Sequence, residues 1–233
     1  MILEARNLKK RFKGMRANAV EDVCLSIGTG ETVGVVGESG SGKSTLAKLI
    51  LGLLPADSGE IFFKGADVKS FGVREWREFR KKIQVVFQHP ALSLNPRMTV
   101  REILREPFLV HRPEGIFSVD EKLEELLISV ELSGEFLGRL PRQMSGGECQ
   151  RVAVARALSL GPELIICDEP VSSLDVIVQM QVLNLFLKLQ KEKKISYLFI
   201  SHDLRVVRHM SDRVVVMKDG RVVEKLIFKS ACQ

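Results

Sequence analysis

Thr32-Val33-Gly34-Val35-Val36-Gly37-Glu38-Ser39-Gly40-Ser41-Gly42-Lys43-Ser44 is the stretch whose reading decides the fold. Thr32 to Val36 form a short, continuous apolar run, the pattern of a strand buried on both faces of a parallel sheet. Gly37 to Ser44 then satisfies G-x-x-x-x-G-K-[ST]. Beyond it, Ser44 to Leu54 reads as a helix that Pro55 stops. Glycines at these positions let backbone N–H groups turn inward around a phosphate, at the positive end of the helix dipole. Lys43 suits the β- and γ-phosphates of a nucleotide, and the Ser44 hydroxyl suits Mg²⁺. A Gly/Ser-rich surface turn is the bland alternative, but it does not explain strand, loop and helix in register.

Outward from this loop, strands and helices alternate. Ile2–Arg6 and Val23–Ile27 read as N-terminal strands around a polar loop at Lys13 to Arg16, with Gly59–Phe63 and Ile83–Phe87 as further strands. From about Thr99 to Ala157 no strand is legible and helical runs such as Asp120–Val130 dominate, which predicts a helical lobe inserted at roughly 88–159. Strands at Leu164–Cys167, Tyr197–Ile200, Val214–Met217 and Val222–Glu224 follow, with a helix over Val176–Lys191 and a turn at Asp219-Gly220. Val178, Val182, Leu185 and Leu189 mark the core face of that helix. The pattern predicts an α/β fold: a mainly parallel sheet covered on both faces, with an N-terminal antiparallel β region and the helical insertion, all in one domain over 1–233.

Composition excludes several classes. The 233 residues are 45% hydrophobic and 27% charged, which rules out a disordered or collagen-like chain. No window reaches the ~18 uncharged apolar residues of a membrane span, and Met1 to Ala5 lack a signal peptide's basic and apolar regions. Cys24, Cys149, Cys167 and Cys232 are scattered, which predicts free thiols in a cytosolic chain. The net charge of +6 comes from bases interleaved with acids, as in Arg74 to Lys82, so a solvated helix face is read there and no nucleic-acid partner.

Two further constellations carry chemistry. Leu164 to Cys167 end in Asp168-Glu169, and carboxylates at the end of a buried parallel strand face a ligand there. Asp168 suits the Mg²⁺ shell and Glu169 suits activating water; a plain helix cap at Asp168 leaves the adjacent carboxylate and Pro170 unexplained. Met144-Ser145-Gly146-Gly147-Glu148 opens a helix with a second anion-binding turn. Ser145 and Glu148 also have the spacing of an ordinary capping box. One nucleotide cannot readily use both turns, unless the second serves a neighbouring molecule.

Here the chain resembles the ATP-binding-cassette (ABC) ATPases, from about Leu3 to Glu224. Ser145 to Glu148 resemble the signature motif, with Met144, Glu148 and Ser173 departing from its commonest residues and from the usual D-loop alanine. The resemblance implies that Phe12 stacks on adenine and that Gly37, Glu38, Ser39, Gly40, Ser41, Gly42, Lys43, Ser44 and Thr45 hold ATP. It implies Mg²⁺ at Ser44, Gln88 and Asp168, catalysis by Glu169, His202 and Gln88, and a D-loop at Ser172, Ser173, Leu174 and Asp175. The bland alternatives are Phe12 as a core-facing aromatic at a strand end, Gln88 as a strand cap and His202 as a buried, hydrogen-bonded histidine.

Phe87 to Thr99, Val100 to Pro107 and Asp168 to Val176 resemble the oligopeptide, dipeptide and nickel importers within the family. The resemblance implies a peripheral subunit on the cytoplasmic face of the membrane that pairs with a second cassette, identical or not. It would bind integral permease subunits near Gln88 and serve a solute-binding protein indirectly. Many peptide importers carry a longer C-terminal region with clustered cysteines, so the lack of such a cluster favours nickel or a metal chelate as the solute. The alternatives are a soluble cassette ATPase of DNA repair or translation, and a P-loop kinase or GTPase, against which Ser145-Gly146-Gly147 argues.

Overall fold

The structure, a computed structural model, describes residues 1–14, 17–88, 93–112 and 118–227. Met15 and Arg16 of the polar loop, His89 to Leu92 of the importer-like stretch, and Cys232 lie outside the described residues.

Strands β1 (Leu3–Lys10) and β2 (Val20–Ile27) pair antiparallel, and β3 (Thr32–Val36) runs through the phosphate-type loop into α1 (Lys43–Ile50). Strands β4 (Ser58–Phe63) and β5 (Ala66–Asp67) return to β1, and α2 (Val73–Lys82) leads into β6 (Ile83–Val86). Between β6 and the next strand the described residues form helices and turns: α3 (Val100–His111), α4 (Val119–Ser129) and α5 (Gly146–Leu158), joined by short 3₁₀ turns. The chain closes with β7 (Leu164–Asp168), α6 (Val176–Lys193), β8 (Ser196–Ser201), α7 (Leu204–Met210), β9 (Arg213–Lys218) and β10 (Arg221–Ile227).

Two sheets result, a four-stranded one ordered β2-β1-β4-β5 and a six-stranded one ordered β10-β9-β3-β8-β7-β6. The first is antiparallel; the second is parallel from β9 through β6, with β10 antiparallel at one edge. Alternation within the buried strands explains their unbroken apolar sequences. Val33, Val35, Leu164, Ile166, Leu198 and Ile200 face one core with α1 and the antiparallel sheet. Ile165, Cys167, Tyr197 and Phe199 face the other, with α6 and the helices α3, α4 and α5. Both layers are needed to cover the sheet.

Val182, Leu185 and Leu189 are buried on α6, and Val178 is half-buried against the same cluster. The charge-rich α2 buries Phe79 alone and sets its bases and acids in solvent. Cys149 and Cys167 are buried free thiols, and burial pushes both up in pKa, away from the reactive thiolate.

Helix α1 ends at Ile50, four residues before the end that Pro55 suggests. The stop is Gly52, whose φ of 67° is left-handed. Gly52 N–H donates to Leu49 O (3.0 Å) and Leu53 N–H to Lys48 O (2.9 Å), the paired bonds of a Schellman cap. A Cβ at Gly52 would also meet the Trp76 ring at 2.5 Å. Gly52→Ala should therefore destabilise the fold by at least about 1–2 kcal/mol from backbone conformation alone, read as a lower urea midpoint at unchanged m-value.

Candidate active site

The ends of β3, β6, β7 and β8 bound a cleft of ≈ 790 Å³, within the ~300–1,000 Å³ typical of cofactor sites. Phe12, Ser39, Gly40, Gly42, Lys43, Ser44, Thr45, Gln88, Glu169 and His202 line it together. Gly37, Glu38 and Ser41 form the back of the same loop, lining a smaller pocket against Met217 and Lys218. Phe12, beyond the end of β1, is 36% exposed at the cleft mouth instead of packing in the core.

The loop is shaped by glycines with little room for anything else. Gly42 caps α1 at φ 99°, and a Cβ there would meet Ala19 O at 2.2 Å. Helix α1 has neither a side-chain cap nor an acidic residue in its first turn. By contrast α3 to α7 are each capped by a side chain, from Thr99, Ser118, Ser145, Asp175 and Asp203. The free N–H groups of α1 therefore face the cleft at its positive end.

Lys43 is 4% exposed, and its ammonium donates to Gly37 O (2.7 Å) and Glu38 O (2.8 Å). Burial lowers its pKa, against the pull of Glu169 and Asp168. The cation thus sits inside the loop that would wrap a phosphate.

The Ser44 hydroxyl donates to Asp168 Oδ1 at 3.0 Å, joining the start of α1 to the end of β7. These are hard oxygen donors, the set a Mg²⁺ ion takes together with substrate phosphates. Burial raises the pKa of Asp168, opposed by the Ser44 hydrogen bond and reinforced by the neighbouring Glu169 charge.

Glu169 leaves β7 abruptly, with φ 49° in the left-handed region that non-glycine residues seldom adopt. Its N–H is fixed to Ile200 O at 2.9 Å. Gln88 Nε2 donates to Glu169 Oε2 at 3.0 Å, and His202 Nδ1 lies 3.2 Å from the same oxygen. The His202 side chain is 58% exposed, so it is not the buried structural histidine that sequence alone allowed.

Ser145, Gly146, Gly147 and Glu148 do not line this cleft. Their turn is a full capping box: Ser145 Oγ accepts from Glu148 N–H, and the Glu148 carboxylate accepts from Ser145 N–H (2.7 Å). Among the D-loop residues, Asp175 caps α6 through the N–H groups of Ile177 and Val178. Ser172 Oγ lies 3.2 Å from Glu169 O, and Ser173 is exposed.

The structure adds Ala17, Asn18, Ala19, Asp219 and Gly220 to the cleft. Gly220 N–H donates to Ser41 O (3.1 Å) and Gly220 O accepts from Glu21 N–H (2.8 Å), so the β9–β10 turn holds the loop from behind. The Asp-Gly pair was visible in the sequence only as a turn. Ala19 acts through its backbone oxygen, which faces Gly42, and left no signal.

This site has relatives. The family described as "ABC transporter" matches residues 20–172. The Haemophilus influenzae "Oligopeptide transport ATP-binding protein OppF" is 49% identical over 222 residues, which is 94% of this chain and 67% of that protein. The Bacillus subtilis AppF of the same description is 50% identical, over 96% of this chain and 71% of that one. The Escherichia coli OppF is 49% identical, over 88% of this chain and 62% of its own length. Among solved structures, the ATP-binding cassette MJ0796, a dimer bound to ADP and Pi, superposes with a TM-score of 0.87 at 31% identity over 98% of this chain and all of that one. The Clostridium perfringens cbiO1 gives 0.86 at 26% identity, over 97% of this chain and 88% of that one. The chain belongs to the ABC transporter family: it is an ATP-binding cassette, an ATPase of the class coupled to transport.

The buried Asp168 makes a prediction about stability. Its folded pKa is raised, so its ionised form is penalised by folding, and the penalty grows as pH rises through that raised value. Asp168→Asn should therefore raise the melting temperature of the nucleotide-free protein at neutral pH. The gain should shrink as pH falls below the ordinary aspartate range, where both forms are uncharged. Calorimetry across that range checks it.

Proposed function

We propose that the cleft binds ATP with Phe12 against the adenine and the phosphates inside the loop Gly37 to Thr45, and that Glu169 activates the attacking water. What carries the reading is the convergence of Gln88 Nε2 and His202 Nδ1 on Glu169 Oε2, beside the Ser44–Asp168 pair. Water held by the Glu169 carboxylate gives its proton to that carboxylate as its oxygen attacks the γ-phosphorus, and the bond from that phosphorus to the β–γ bridging oxygen breaks, its electron pair leaving with ADP. Gln88 and His202 hold that carboxylate in place, and the largely exposed His202 lines the same cleft. Lys43 neutralises charge on the β- and γ-oxygens, and α1 directs its free N–H groups at the same phosphates. Ser44, Asp168 and Gln88 would hold Mg²⁺, whose charge further offsets that of the phosphates when it is bound.

The turn Ser145-Gly146-Gly147, lying outside the cleft, would cover the ATP of a second cassette. Closure of the pair on ATP and reopening on hydrolysis is then a two-state element biased by the nucleotide. Among the described residues no helix is long and apolar enough to cross a membrane. Integral permease subunits docked on the helical lobe, taken as about 88–159, would hold the chain at the cytoplasmic face.

The names of the relatives favour an oligopeptide as the solute over nickel or a metal chelate. Uptake of a labelled peptide, competed by peptides and by chelated nickel, separates the two.

Lys43→Ala should weaken ATP binding about 10- to 100-fold, the weight of a charge-assisted contact, measured by calorimetry. Glu169→Gln should leave ATP binding intact and slow hydrolysis about 10²–10⁴-fold. It should also accumulate an ATP-bound pair that light scattering detects, and adding Ser145→Arg should abolish that pair. Wild-type turnover of Glu169→Gln in the assembled transporter would overturn the assignment of the carboxylate.

A further inference from the structure

Gly146 and Gly147 are the first two residues of α5, and neither lies in the left-handed region. Their backbone conformation is open to any residue, and glycine inside a helix is unfavourable relative to alanine. Something other than φ therefore holds these positions to glycine. A Cβ at Gly147 would stand 2.5 Å from Val178 Cγ1, and a Cβ at Gly146 would stand 3.3 Å from Leu174 Cδ2.

Val178 cannot easily yield. It occupies the first turn of α6, where its N–H is bound by Asp175 Oδ1 at 3.0 Å. A valine in a helix has one strongly preferred χ1, so its methyl groups cannot rotate aside. Leu174 and Val178 both pack on the buried cluster beneath α5 and α6. The intolerant wall is thus part of this same chain.

We propose that Val178, with Leu174, positions the Ser145–Gly147 turn, and that Val178, not the nucleotide facing the turn, closes position 147 to any side chain. The inference rests on the reading of that turn as the ATP contact of a second cassette. It gives the stretch from Glu169 to Val178 two roles. One end carries the carboxylate of the chain's own cleft, and the other fixes the turn the chain offers outward. The Ser172 N–H to Glu169 O (3.4 Å) and Leu174 N–H to Val171 O (3.2 Å) bonds make that stretch a compact turn.

The test compares Gly147→Ala, Val178→Ala and their combination in the assembled transporter, with ATP binding by the isolated chain as a second readout. Gly147→Ala should displace the turn and lower hydrolysis about 10²-fold, while ATP binding to the chain's own loop stays within about twofold. Val178→Ala in the same chain should restore at least about tenfold of that loss. Val178→Thr keeps both γ-atoms and should restore none, even if Gly147→Ala also lowers the yield of folded protein. Wild-type turnover by Gly147→Ala, or equal inactivity of Gly147→Ala with and without Val178→Ala, would overturn the proposal. Ser145→Arg separates the two levels. If it hydrolyses ATP normally in the transporter, the reading of the turn fails; if it is inactive and Val178→Ala gives no rescue, only the role of Val178 fails.

Discussion

Parallel register across the six-stranded sheet is the constraint from which the site follows. Val36 is level with Ser201, Asp168 with Ile200, and Val86 with Cys167. The strands β3, β8, β7 and β6 are neighbours in that order, and all end at one edge. What leaves each strand there is chemically distinct: the glycine loop after β3, His202 after β8, Asp168 and Glu169 at the end of β7, and Gln88 after β6. Residues separated by 81 positions, Gln88 and Glu169, meet because their strands are hydrogen-bonded neighbours. A one-residue slip between β6 and β7 would turn every side chain of β6 to the opposite face.

The site costs the fold stability that other contacts must offset. Asp168 is largely buried with a pKa raised by that burial, Glu169 holds a left-handed φ, and Lys43 is buried on two carbonyls. Strain of this kind persists where the surroundings over-determine it. Here the surroundings are visible. Ile200 O fixes the Glu169 backbone, while Gly220 N–H fixes Ser41 O. Arg213 binds Glu31 and Ser26, closing the base of β3 on the antiparallel sheet. Gln190 of α6 donates to Gly30 O and Thr32 Oγ1 (2.8 Å), which anchors the strand that feeds the loop.

Legibility in the sequence followed how local each cause is. β3 and β7 read correctly because burial on both faces demands an unbroken apolar run. The loop read correctly because its glycines and lysine are needed together at fixed spacing. The end of α1 did not: Pro55 is the louder signal, yet the left-handed Gly52 stops the helix, and Trp76, on α2, occupies the space a side chain there would need. The backing of the loop by Ala19 and Gly220 was illegible, since main-chain atoms act there and the Asp-Gly pair reads only as a turn. Phe12, Gln88 and His202 had plausible bland readings in isolation. Their siting in one cleft depends on strand order, which no single segment encodes.

The contrast between two helix starts is the last link between fold and partnership. Helix α1 opens without a cap, and its N–H groups face the cleft of its own chain. Helix α5 opens with a capping box that uses the Ser145 and Glu148 N–H groups, leaving those of Gly146 and Gly147 outside the ladder and outside that cleft. The Glu148 carboxylate is itself part of the turn, held by Ser145 N–H at 2.7 Å. Two helix starts that do not share one cleft would, on the proposed reading, make the chain half of a site in two senses. On that reading it would hold one ATP from below and offer a cover for another. Pairing with a second cassette would let both ends act, and the close approach of Val178 to Gly147 would give the cover a fixed geometry before any partner arrives.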